Sequence, residues 1–159
     1  MARVKSQRTI VVGLDNTPGA RAALRWAVSR AVATGAVVRA VHALELPGAA
    51  ESLESDVSGV RAAMQSRVHT WAAEVLAGLP FDVPVSVEVR DGDAARVLSR
   101  AARNAESLVV GTNAGSDHSP VAECVVPTLC EVVIVDENGH TEYLRGPYLR
   151  DDQTGRQVV

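Results

Sequence analysis

The sequence predicts an α/β fold: a single doubly wound, five-stranded parallel sheet with helices on both faces. Three observations point to it. Short, continuous apolar runs rich in β-branched residues read as strands buried on both sides, as parallel strands are. Between them lie stretches whose apolar positions recur with the 3.6-residue rhythm of an amphipathic helix. Aromatic residues make up only 3% of the 159, so the core is built from Ala, Val and Leu, which suit helices packed closely on a sheet.

Thr9–Leu14 (TIVVGL) is the first strand, and the turn formers of DNTPGA follow it. Pro18 stands where a helix starts, because the amide it lacks would be unpaired there anyway. Leu24, Ala27, Val28, Ala31 and Val32 form the stripe of that first helix, and Gly35 ends it. Ala36–Leu44 is the second strand. A polar loop opens at Glu45, and a second helix follows with Val57, Val60, Met64, Val68, Trp71, Ala72, Val75 and Leu79 on one stripe until Pro80. Val83, Val85, Val87 and Val89 alternate along a third strand. Asp91 and Asp93 open a third helix, where acidic side chains complement the exposed amides, and it packs through Val97, Leu98, Ala101, Ala102 and Ala105. Ser107–Gly111 is the fourth strand, a short fourth helix falls within Ser119–Thr128, and EVVIVDE from Glu131 is the fifth strand. The expected domain is residues 8–136. Residues 137–159 read as an irregular tail, with Tyr143, Leu144 and Tyr148 as its docking residues.

Composition narrows the function. A net charge of -3 and the lack of aromatic stacking platforms argue against nucleic acid as a partner. No window approaches the roughly 18 apolar residues of a membrane span, and the apolar run after MARVKSQR is too short for a signal peptide. The expected location is therefore cytoplasmic. Cys124 and Cys130 read as buried thiols, and His42, His69, His118 and His140 are scattered without metal-ligand spacing.

In a doubly wound sheet the ligand site lies at the carboxyl ends of the strands, where the strand order reverses. The loops there are GLDNT after the first strand and GTNAGSDHS after the fourth. Together, TIVVGLDNTPGARAALRWAV, DGDAARVLSRAARNAESLVVG and VVPTLCEVVIV resemble, in order and spacing, the universal stress proteins over about Arg8–Asp136. The resemblance implies strand order 3-2-1-4-5 and dimers formed through the last strand. It also implies that ATP-binding members carry G-x2-G-x9-G-[S/T] after the fourth strand, whose glycines let backbone amides approach phosphate. Here Gly111 matches the first glycine, but Ala114 stands at the second, and His118-Ser119 falls where the final Gly-Ser belongs. Only Gly115–Asp117 lie between, a shortening that removes up to about 20 Å of reach. Asp15 and Asp117 add like charge beside an anionic site.

The first expectation is thus a universal stress protein-like regulatory module of the stress response. It is a non-enzymatic homodimer that pairs through Glu131–Asp136 and acts on unknown protein partners, with a shortened, non-functional ATP loop and no cofactor or metal. The alternative is a switch in which Asp15, Val41, Gly111, Gly115 and Ser119 hold an adenine nucleotide: ATP, AMP or cyclic AMP. Beside those roles, Asp15 also reads as a turn former, Val41 as core, and Thr17 and Ser119 as helix caps. A nucleotide hydrolase is a third reading, but His118 and Ser119 are adjacent and so do not form a nucleophile–base pair, and no other catalytic constellation stands out.

Overall fold

The computed structural model describes residues 7–45, 54–113 and 130–144. Within them run β1 (Thr9–Gly13), α1 (Pro18–Thr34), β2 (Val37–Leu44), α2 (Glu54–Ala77), β3 (Val85–Asp91), α3 (Ala94–Ala101), β4 (Ser107–Thr112), β5 (Glu131–Asp136) and β6 (Thr141–Leu144). They form one sheet in the order β3-β2-β1-β4-β5-β6. The first five strands pair in parallel, as the β-α-β alternation dictates, and the order reverses between β1 and β4. Gly115, Ser119 and the expected fourth helix lie outside the described residues.

Alternation along the strands divides the core. Ile10, Val12, Val38, Ala40, Val109, Val133 and Val135 face α1 and α2, while Val11, Val41, Leu108, Val110 and Val132 face α3. Helices thus cover both faces, as expected. Edge strand β3 turns Val85, Val87 and Val89 to α2, which leaves Ser86, Glu88 and Arg90 on the opposite face.

Two helices depart from their expected form. Val60, expected on the buried stripe of α2, is exposed, as are its described neighbours in the first turns. The cause is length: the 24 residues of α2 span about 36 Å, while the 7 residues of β3 span about 23 Å, so the helix overshoots its strand. Helix α3 stops at Ala101, earlier than its apolar pattern implies, because the chain must turn to enter β4. Glu106 already donates its amide to Thr9 O at 2.8 Å.

The sixth strand is the larger departure. Residues after Asp136, read as irregular, fold back as β6 and pair antiparallel with β5 through Val132↔Leu144, Val133↔Tyr143, Ile134↔Glu142 and Val135↔Thr141. Asp136 organises the turn: its Oδ1 accepts the amides of Asn138 and His140, each at 2.9 Å. These hydrogen bonds, led by that from His140, hold its carboxyl below the usual carboxylate range. Tyr143 docks as expected, edge-on to Trp26 of α1 with ring centroids 6.3 Å apart. Glu131–Asp136 is therefore an inner strand rather than the outermost one. The local pattern missed this because TEYL is four residues long and too short to show a period.

Candidate functional site

The site predicted by topology lies where β1 and β4 end, against the start of α1. Here two glycines bring backbone against backbone. A Cβ on Gly111 would sit closer than 3.0 Å to the carbonyl carbon of Gly19 and the amide of Ala20. A Cβ on Gly19 would meet the Thr112 carbonyl equally closely. Gly111 has no positive φ, so close approach to α1 is what demands glycine there. Gly111 was singled out as a phosphate-loop glycine; its visible role is to seat the helix.

The first turn of α1 is already supplied with acceptors. Thr17 caps it, its Oγ1 accepting the Ala20 amide at 3.2 Å, as its helix-cap reading implied. Asn113 Oδ1, at the end of β4, accepts the Gly19 amide at 2.8 Å. The Arg21 amide bonds Thr17 O at 3.1 Å, and Pro18 has no amide to offer. Asp15 Oδ1 accepts both the amide of Thr17, at 3.0 Å, and its hydroxyl. Donors that could have faced an anion at this helix end are thus occupied by the chain itself.

The walls of the site are equally engaged. Val41 is buried on the α3 face, and its carbonyl accepts the Leu14 amide at 2.9 Å. His42 Nδ1 lies 2.7 Å from Leu14 O, so it carries the proton and donates, and the ring stands edge-on to Trp71 at 5.6 Å. Arg21 reaches Asn16 at 2.9 Å and forms an ion pair with Glu74 at 2.8 Å. Among the described residues the rim thus carries the exposed carboxylate of Asp15 and a guanidinium already paired with Glu74.

The structure brings Asp15 and Gly111 to the two sides of the α1 start. Val41 sits one strand away with its side chain in the core, and Gly115 and Ser119 lie outside the described residues. Asp93 caps α3 by accepting the Arg96 amide at 3.0 Å, whereas Asp91 pairs with Arg61 instead of capping. Cys130 is half-buried, and burial pushes its thiol up, in keeping with an inert thiol. Among the described residues no cluster of His, Cys, Asp and Glu could hold a metal ion, and no helix is long and apolar enough to cross a membrane. Sequence reasoning missed Gly19 and Asn113. The Pro18-Gly19 pair carries the signal, but the reading of it goes no further than a turn and a helix start at Pro18.

Comparison with known proteins agrees with this fold. The model of the universal stress protein family matches residues 7–126. Among solved structures, the chain is similar to a protein of that family from Burkholderia pseudomallei, at 24% identity and TM-score 0.61, covering 80% of this chain and 94% of that one. It is also similar to the universal stress protein of Archaeoglobus fulgidus in complex with dAMP (20% identity, TM-score 0.57, 80% and 96% covered). A third is a universal stress protein family protein from Arabidopsis thaliana with AMP bound (16% identity, TM-score 0.52, 81% and 91% covered). At these identities the likeness is one of fold. No curated protein matches the chain.

Proposed function

The chain belongs to the universal stress protein family, and from that premise we propose that it is a non-enzymatic regulatory module of the stress response. It works through contacts with protein partners, and its phosphate loop is too short to hold ATP. One observation supports this above the others: the amides at the start of α1 are spent on Thr17 and Asn113, and Gly111 is spent on packing. The loop reading adds the missing length, Ala114 and Asp117.

A second reading has its own support. Two of the similar structures hold dAMP and AMP, and a single phosphate asks less reach of a short loop. In this reading Asp15, Val41, Gly111, Gly115 and Ser119 hold an adenine nucleotide: ATP, AMP or cyclic AMP. Calorimetric titration of the full chain with ATP, ADP, AMP and cyclic AMP separates the two. The expected result is silence with AMP and cyclic AMP and no tighter binding of ATP or ADP than of inorganic pyrophosphate. Heat with a monophosphate, or ATP binding tighter than pyrophosphate, establishes the second reading and overturns the first.

Assembly as a homodimer belongs to the same proposal. Pairing through Glu131–Asp136 requires β6 to leave that edge, because β6 occupies its hydrogen-bonding side. Ultracentrifugation of the full chain and of E142P/Y143P tests this. Successive amides in a strand point to opposite sides, so the double proline removes a β5–β6 bond whichever residue makes it. A dimer that strengthens in the variant supports pairing through β5; a variant that stays monomeric at micromolar concentration, with its sheet intact, refutes it.

A further inference from the structure

The α3 face of the sheet carries a second feature, made of other residues than those of the nucleotide-site reading and independent of it. Between α3 and β1–β3 lies a cavity of about 230 Å³ lined by Thr9, Arg39, Arg90, Arg100, Arg103 and Asn104. Four guanidiniums thus meet around one hollow in a chain whose net charge is -3. No carboxylate lines it.

Their partners are unevenly shared. Glu88 holds two of them: it takes Arg39 in a two-bond fork, at 2.9 and 3.1 Å, and Arg90 at 2.9 Å. The hydrogen bond from Arg39 holds the Glu88 carboxyl below its ordinary range, so it remains charged. Arg100 and Arg103 form no side-chain hydrogen bond or ion pair with any described residue. Arg100 alone would read as a complement to the negative end of α3. That role is already filled, however: Ala102 N bonds Leu98 O, Arg103 N bonds Arg100 O, Ala105 N bonds Ala102 O, and Arg39 Nη1 bonds Ala101 O. One carboxylate against four guanidiniums leaves an excess of positive charge in a concave site, where field lines concentrate.

We propose that this cavity binds a diphosphate group, free or carried by a small metabolite. Guanidiniums present planar forks that match phosphate oxygens two at a time. The volume is below the roughly 300–1,000 Å³ of pockets for drug-sized ligands, so the anion and little else is enclosed. Glu88 acts as a positioning residue, fixing the Arg39 and Arg90 side chains, while Arg100 and Arg103 supply unshared charge and Thr9 and Asn104 add hydrogen-bonding groups.

Titration of the full chain at low salt with inorganic pyrophosphate and, separately, with ADP tests the site. Wild type is expected to bind pyrophosphate and to melt at a higher temperature in its presence. The double variant R100Q/R103Q is expected to weaken binding at least roughly tenfold, since it removes two of the charged hydrogen-bond donors that face the anion. R25Q, which alters an exposed arginine of α1, is expected to bind as wild type does. Both altered side chains at the site are exposed, so the fold is retained. If R100Q/R103Q weakens pyrophosphate and ADP alike, the diphosphate group is what the site reads; if only pyrophosphate weakens, the ligand is the free anion. No pyrophosphate binding at millimolar concentration, or equal weakening by R25Q, overturns the proposal.

Discussion

The two ends of the sheet solve opposite problems. At the carboxyl end, where β1 and β4 deliver their loops to α1, backbone touches backbone and the amides of the first helical turn have partners within the chain. Toward the amino ends of β1 and β2, under α3 and beside β3, there is room, and guanidiniums outnumber the carboxylate that pairs with them. The carboxyl end is the one that the topology of doubly wound sheets marks as a ligand site. The contrast teaches that a glycine following a strand has a use besides approaching an anion: it can seat a helix, and that is the packing Gly111 shows.

Substitution breaks the contrast most sharply at the glycines. Gly111→Val is expected to destabilise the chain by more than about 3 kcal/mol, because the new Cβ meets main-chain atoms of Gly19 and Ala20 that cannot rotate away. Arg103→Ala at the opposite end is expected to stay within about 0.5 kcal/mol, as exposed positions do. Urea unfolding of both variants measures the difference, and equal effects would remove the distinction between a packed end and a charged one.

A middle-sized effect is expected from the cap. Thr17→Ala removes the acceptor of the Ala20 amide and a partner of Asp15, and should cost about 1 kcal/mol. Thr17→Ser restores the hydroxyl and most of that loss. If Thr17→Ala were instead neutral while adenine-nucleotide binding appeared, the freed amide would be acting as an anion donor, and the carboxyl end would have to be read as a ligand site held closed.

The smallest expected effect is on pH dependence. The Glu88 carboxyl is held below its ordinary range by Arg39, and that of Asp136 by the His140 amide. A carboxyl depressed in the folded state contributes stability that is fully present above its unfolded pKa and is lost as pH falls through the folded value. The melting temperature is therefore expected to fall on the acid side, and Glu88→Gln to flatten part of that fall. A steeper acid limb in Glu88→Gln would contradict the pairing at the amino end.

How much of this was legible in the sequence depended on the range of the interaction. The runs TIVVGL and EVVIVD, the stripe of α1 and its Gly35 stop, and the Asp93 cap are local patterns, and each element formed where its pattern lay. Arg8–Asp136 also carried the family resemblance that the family match over residues 7–126 supports. Less legible was anything that needed a neighbour from elsewhere in the chain. Gly19 and Gly111 look like turn residues until a helix and a strand 92 positions apart are seen to touch. Asn113 caps a helix 94 positions upstream.

The sequence by itself determined the class of fold and the faces of most helices, because periodic burial is written into adjacent residues. The order of the parallel strands came only with the family resemblance. Only the tertiary structure decided that β6 would cover the edge of β5, since four residues have no readable period and gain their bonds only from a strand already in place. It alone decided that Gly111 would be consumed by packing. It also gathered Arg39, Arg90, Arg100 and Arg103, dispersed along the chain, around one cavity. Local periodicity fixes which way a side chain faces, but which charges end up facing one another is set by how the strands and helices cross.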